Sequence, residues 1–184
     1  YKDGYITRTH YSDLIRLELL KQYGGIWIDA TVLCESRTLI DNLFEGNTEF
    51  FVFKDPLALD EYVAVSSWLM YAKAQNPYLK TVENMLLEYW KAENYLCNYF
   101  LLHIFICIVA ELKPDEWKKI PAYSCQPPHI LQNELFDIYD KRRFNQLMEM
   151  SSIHKLSYKF AEEKFEQEDT VYQHLKRLYL EEKV

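Results

Sequence analysis

The chain has 184 residues, of which 49% are apolar and 16% aromatic, and 21 basic against 28 acidic side chains leave it a net charge of −7. That length suits one domain, and the apolar share is enough to build its core. The charge excludes a general nucleic-acid binder, which needs a basic stripe, but leaves room for a nucleotide pocket served by a local arginine and a metal.

Tyr11 to Tyr23 reads as a helix that Ser12 or Thr9 could cap and Gly24 stops. Ile26 to Ile28 reads as a short buried strand, and "SRTLIDNLFEG" as a helical turn or short helix. Phe50 to Phe53 and Tyr62 to Ser66 are rich in aromatic and branched residues and read as strands. "NPYLKTVENMLLEYWKAEN" is the clearest helix. Asn76 caps it, Pro77 fits its first turn, and Leu79, Val82, Leu86 and Tyr89 share a face. Tyr99 to Leu112 follows as a second helix, and "KPDEWKK" begins a short one. "SCQPPH" reads as a loop and "DKRRFNQLMEM" as a helix, followed by the unusual segment "SSIHKLSYK". The tail over 160–184 reads as a charged helix with Val171, Leu175, Leu178 and Tyr179 as its apolar stripe. Strands mixed with helices give α/β.

The longest apolar stretch, Tyr95 to Ala110, contains Asn98 and His103 and falls short of the roughly 20 residues of a membrane span. It reads as a buried core helix, with membrane contact as the alternative. Cys34, Cys97, Cys107 and Cys125 form no C-x-x-C pair. They read as reduced, buried thiols of an intracellular protein.

On a helical wheel, Glu18, Lys21 and Gln22 gather on the solvent side of the first helix. Asp13 and Arg16 fall opposite, among Leu17, Leu19 and Leu20. Two charges directed inward are costly unless paired or given a polar ligand. They form either an internal i, i+3 salt bridge or the wall of a pocket. Behind them, "YGGIWIDAT" places two of the chain's four glycines side by side. A left-handed Gly24 ends the helix, Gly25 permits a sharp reversal, and the strand delivers Asp29 at its carboxyl end. A positive φ is therefore expected at Gly24 or Gly25. Asp13 and Arg16 are expected close to Asp29, bordering one cleft.

The run "SDLIRLELLKQYGGIWIDATV", Ser12 to Val32, resembles the capsular polysaccharide synthesis family of glycosyltransferases. That family is related to the initiating mannosyltransferases and, more distantly, to the clostridial toxin glucosyltransferases. The shared pattern is S-D-x-x-R, then Y-G-G, then an aromatic-apolar strand ending in D-x-D or D-A-T. Weaker echoes follow in "NYFLLHIF" and "IHKLSYK". The resemblance implies a GT-A-like, Rossmann-type sheet with flanking helices and a helical C-terminal part. It implies transfer of a sugar, with retention, from a nucleotide-sugar donor to a saccharide or lipid-linked glycan acceptor. Asp13, Arg16 and Asp29 then take the catalytic positions, with Gly25, Thr31, Lys155 and Lys159 joining them around the donor. A divalent cation, Mn2+ or Mg2+, would be held by Asp29 and His154. The second acid of D-x-D is Thr31 here, and a hydroxyl is a weaker ligand than a carboxylate for a hard cation.

For His154 the segment itself adds a reason. Ile153 and Leu156 can anchor it while His154, Lys155 and Lys159 offer donors or a ligand, so His154 is expected to approach the Asp29 end of the strand. The bland alternative is a structural histidine. Only eleven residues precede Ser12, where GT-A domains place one or two strands, so an N-terminally truncated domain is expected. The expected location is cytoplasmic or peripheral at the inner membrane face, beside a membrane or assembly partner. Two other readings compete: a degenerate, non-catalytic sugar-nucleotide-binding relative, and a structural interaction module that uses its C-terminal helix.

Overall fold

The computed structural model describes residues 6–54 and 64–181. Its contacts fall into two compact units where one domain is expected: residues 1–29 with 42–125, and residues 30–41 with 126–184.

In the first unit, helix α1 (Arg8–Tyr23) starts one turn earlier than the wheel reading. Its cap is Thr7, whose side chain accepts from the His10 backbone N–H, and neither Thr9 nor Ser12 serves. Leu19 also departs from that reading, being 43% exposed, while Leu17 and Leu20 are buried. Gly24 ends the helix as expected, its N–H donating to Leu20 O at 2.9 Å. Strand β1 (Gly25–Ile28) follows directly and is half-buried rather than buried.

Both glycines of the pair have positive φ, +68° at Gly24 and +97° at Gly25. They differ in what surrounds them. A Cβ on Gly24 would lie 2.7 Å from the backbone N of Ala74, whereas one on Gly25 would meet nothing within 4 Å. Gly24→Ala therefore combines φ strain with a backbone clash and Gly25→Ala only the strain. We expect Gly24→Ala to destabilise by more than about 1 kcal/mol, the reverse of the gain seen where a glycine is replaced at a compatible φ, and Gly25→Ala to cost less than Gly24→Ala. Urea unfolding of the two variants checks the order.

β1 belongs to a three-stranded sheet of order β1-β4-β3, with β3 over Phe50–Lys54 and β4 over Val65–Ala72. Both pairings are antiparallel. The mixed α/β class is as expected, but the parallel pairing of a Rossmann-type sheet is not found in either sheet of the described residues. Residues 55–64 between β3 and β4 are fewer than the dozen or so that a parallel crossover needs. The strand expected over Tyr62 to Ser66 overlaps β4 only at its start, and Tyr62 and Val63 lie outside the described residues. β4 is buried at every position but one. A strand covered on both faces shows no alternation, so periodicity does not mark its extent.

The pairing of β3 with β4 is irregular: Val52 faces Met70, but Phe53 faces Ser66. Ser67, Trp68 and Leu69 are thus extra on β4 at this point. Such bulges bend a strand and re-aim its side chains.

Over this sheet lie α3 (Pro77–Ala92), capped by Asn76, α4 (Leu101–Leu112) and the short α5 (Pro114–Lys119). Leu79, Val82 and Leu86 of α3 are buried as expected, and join Leu17, Leu20, Leu102 and Ile106 in one core. Burial of α4 in that core accounts for the long apolar stretch. Among the described residues no helix is long and apolar enough to cross a membrane.

The second unit holds the antiparallel pair β2 (Val32–Cys34) and β5 (Ile153–Lys155). The helix α2 (Thr38–Glu45) carries the chain back toward the first unit. Helices α6 (Gln126–Asn133) and α7 (Lys141–Met150) pack through Leu131, Leu135, Phe144 and Leu147 with Val171 and Leu175. α6 replaces the loop expected at "SCQPPH". Pro127 and Pro128 occupy its first turn, where a backbone N–H has no helical partner to lose. The tail forms α8 (Glu162–Phe165), α9 (Val171–Lys176) and a π-helical turn over Arg177–Glu181, rather than one helix. Thr170 caps α9 and so starts it afresh. Cys107 and Cys125 are buried as expected, but Cys34 and Cys97 are exposed, against the expectation of buried thiols.

Candidate functional site

α1 carries two charged side chains into the interior of the first unit. Asp13 is 7% exposed and Arg16 4%. They stand one turn apart on the stripe that buries Leu17 and Leu20, as the wheel implies. Arg16 Nη2 lies 3.3 Å from Asp13 Oδ1 and 3.7 Å from Asp29 Oδ1. The expected proximity of Asp13, Arg16 and Asp29 is therefore present, with the guanidinium between two carboxylates.

The rest of the guanidinium is also engaged. Nη1 donates to Ser67 O at 2.6 Å and to Ser67 Oγ at 2.8 Å. Nη2 donates to Ser12 Oγ at 3.2 Å, and Nε to Ser12 O at 3.4 Å. The Trp27 ring lies beneath, its centroid 5.0 Å from Arg16 Cζ, a cation–π contact. Of the five N–H donors of an arginine, four are hydrogen-bonded to Ser12 and Ser67, and Nη2 also stands within ion-pair reach of both carboxylates. Arg16 is thus built to hold the two carboxylates in place. Ser12 was legible inside the S-D-x-x-R pattern. Ser67 was not: it reaches Arg16 from 51 residues away, through the bulge in β4.

Asp29 stands at the end of β1. Its backbone N–H donates to Trp68 O at 2.8 Å, and its carboxylate accepts from Trp27 Nε1 at 3.0 Å. With a side chain 30% exposed against 10% for Asp13, it is the carboxylate of the pair that meets solvent. Gly25, at the other end of β1, contributes backbone alone.

Burial raises the Asp13 carboxyl to about 6, and nearby Asp29 adds to the rise, while Arg16 and His10 oppose it. The folded state therefore holds this proton more tightly than the unfolded chain, whose carboxyl titrates near 3.8. Between those values the native state binds more protons, so stability falls as pH rises through the window. We expect the wild type to lose roughly 2–3 kcal/mol from this group between pH 4 and pH 6.5. Asp13→Asn should remove that component. Chemical denaturation of both proteins across the window checks it.

The other expected site residues belong to the second unit. Lys155 Nζ donates to Thr31 Oγ1 and, at 3.2 Å, to Leu156 O. Thr31 also lines a mainly apolar cavity of about 430 Å³ walled by Leu33, Leu156, Tyr172 and Tyr179. Lys159 is exposed, its ammonium 6.0 Å from the centroid of the Tyr158 ring. His154 pairs with Leu33 across β2–β5 and is fully enclosed, at 0% exposure. Neither of its ring nitrogens has a hydrogen-bond partner. Burial lowers its pKa, against the pull of Glu35 and the Ser151 backbone, so the ring is neutral. This is the placement of a core histidine.

Among the described residues no three His, Cys, Asp or Glu side chains gather as a metal site. With His154 fully enclosed, the donor set does not fit the divalent ion expected at Asp29 and His154.

Exposed aromatic rings lie beside the charge cluster. His10 is buried one turn before Asp13, and its Nε2 lies 3.1 Å from Tyr99 O. A carbonyl only accepts, so Nε2 carries the proton. This bond ties the start of α4 to α1.

A family model described as capsular polysaccharide synthesis protein matches residues 1–175. No curated protein and no solved structure matches the chain.

Proposed function

The chain belongs to the capsular polysaccharide synthesis protein family, and from that membership we propose that it is a nucleotide-sugar-dependent glycosyltransferase. It would move a sugar from a nucleotide-sugar donor to a saccharide or lipid-linked glycan acceptor, with retention at the anomeric carbon, on a GT-A-type site. One observation carries the reading. Arg16 holds a buried and a solvent-facing carboxylate, Asp13 and Asp29, within 3.7 Å of one guanidinium, at the carboxyl end of a strand.

In this transfer the bond from the anomeric carbon to the diphosphate oxygen breaks and a bond to an acceptor hydroxyl oxygen forms. The diphosphate leaves with the electron pair, and the hydroxyl proton is released. Positive charge develops on the sugar ring on the way. A fixed carboxylate near that ring is worth most when charge has developed. Asp29, the carboxylate that meets solvent, would take this role and accept from donor hydroxyls. Asp13, with its pKa raised by burial, braces Arg16 from behind. Arg16 is a positioning residue, since its donors are already directed at the protein.

The same saturation of Arg16 favours a second reading, in which the cluster is an internal ion network and the chain a non-catalytic relative. The experiment that separates the two is turnover of UDP-, GDP- and CMP-sugars with saccharide acceptors, alongside calorimetric titration of each donor with and without manganese. Donor binding with turnover supports the transferase, and binding without turnover the relative. Absence of both leaves the ion network as a structural device.

A further inference from the structure

Tyr99 and Phe100, just before α4, and His103 in its first turn present three rings in a row. Tyr99 and Phe100 meet edge to face at 5.2 Å, and Phe100 and His103 at 5.3 Å. Tyr99 is 55% exposed and Phe100 44%. Two large aromatic side chains thus stand open side by side. They are not loosely placed. His10 Nε2 donates to Tyr99 O at 3.1 Å, and the His10 ring packs edge-on against Tyr99 at 5.6 Å. His10 lies one helical turn before Asp13 on α1, so the rings are anchored to the element that carries the carboxylates.

His103 supplies the polar group that such a surface needs. Its Nδ1 is buried and has no hydrogen-bond partner. A buried polar atom without a partner costs stability unless something completes it. Burial first, and then the charge on Arg16, lower the His103 pKa to about 4. The ring is therefore neutral at physiological pH and can both donate and accept.

A pyranose ring has a face of C–H groups and an edge of hydroxyls. The first packs on an aromatic face, and the second needs a few fixed polar partners. We propose that the entry to α4, residues 99–103, is the acceptor-sugar subsite, with Tyr99 and Phe100 packing against a pyranose face and His103 hydrogen-bonding one of its hydroxyls. The acceptor role rests on the transferase reading above. The saccharide chemistry of the surface rests on the rings and the unpartnered imidazole alone. An acceptor bound here would lie on the segment that His10 ties to α1, the helix that carries Asp13 and Arg16.

The test uses saturation-transfer NMR on the full chain with the methyl glycosides of glucose, galactose and N-acetylglucosamine as probes. Four proteins are compared: wild type, Phe100→Ala, His103→Phe and the surface control Tyr158→Ala, in the second unit. His103→Phe keeps a ring of similar shape and loses only the hydrogen bond. Thermal melts verify that each variant folds, and UDP-sugar titration follows the donor separately. We expect at least one probe to bind wild type and Tyr158→Ala alike. Its affinity should fall about 3- to 10-fold in Phe100→Ala and His103→Phe, with donor affinity unchanged within about twofold. Probe binding that is equal in all four proteins overturns the subsite, and so does a wild type that binds none of the probes. A wild type that binds probes through Phe100 but no nucleotide sugar overturns the transferase reading and leaves a saccharide-binding surface.

Discussion

Asp29→Asn should reduce kcat/KM for sugar transfer by roughly 100- to 1,000-fold, the loss seen when one preorganised electrostatic group is removed from a reacting centre. The change is close to isosteric. The asparagine carbonyl can still accept from Trp27 Nε1, which lies 3.0 Å from the present carboxylate oxygen. The backbone bond to Trp68 O is untouched. Only the charge is lost, from a side chain that is 30% exposed, so the melting temperature should change little. Steady-state kinetics and a thermal melt, taken on the same preparation, decide the matter. A variant that keeps transfer within tenfold of wild type would remove Asp29 from the reacting centre. A variant that loses activity and stability together would make it a structural residue.

Arg16→Ala should have the largest effect on stability of any single change considered. It removes the counter-ion of Asp13, which is 7% exposed, and leaves Ser67, also 7% exposed, without its hydrogen-bond donor. Removing one partner of a buried pair costs about 3–5 kcal/mol, a large part of the 5–15 kcal/mol of a typical fold. For a chain of this length that corresponds to a fall of roughly 6–20 °C in melting temperature.

The pH dependence identifies the cause. Without Arg16, the buried Asp13 carboxyl can escape its penalty by taking up a proton. The deficit of Arg16→Ala should therefore be smaller at pH 5 than at pH 8. Adding Asp13→Asn should recover part of it at pH 8 and little at pH 5. A lysine at position 16 keeps the charge but cannot reproduce the planar fork that reaches Ser12, Ser67 and Asp13 together, so Arg16→Lys should fall between. A deficit equal at both pH values would mean that lost packing, not the orphaned carboxylate, dominates.

These two results would bear differently on function. Asp29 faces solvent and tests the chemistry. Arg16 is internally saturated and tests whether the cluster holds its geometry. A transfer activity that survives Arg16→Lys with altered KM, but fails in Asp29→Asn, is the pattern expected of one positioning residue and one reacting carboxylate.

Some of this molecule was decided by the sequence alone, because the deciding interactions are local. Asn76 accepts from the Leu79 N–H three residues away, so the start of α3 was legible from the order of residues. The reversal at Gly24 and Gly25 was legible because only glycine adopts positive φ at so little cost. The inward direction of Asp13 and Arg16 followed from helical spacing, and the nearness of Asp29 from a reversal too short to carry the strand away.

Other features depend on residues far apart in the chain. The extent of β4 was hidden because burial on both faces removes the alternation that marks a strand. The antiparallel order of the sheet depends on which strands pair, and no single segment specifies that. Ser67 became a partner of Arg16 only through a bulge set by the mismatch of β3 and β4. His103 and Tyr99 became neighbours of the charge cluster because α4 packs where His10 can reach the Tyr99 carbonyl. His154 shows the converse. Its segment carries apolar anchors beside polar groups, which a sequence can read as a loop over a pocket. Pairing of β5 with β2 instead encloses the ring in the core of the second unit. Local stereochemistry can be read along the chain, whereas burial and partnership are properties of how distant segments meet.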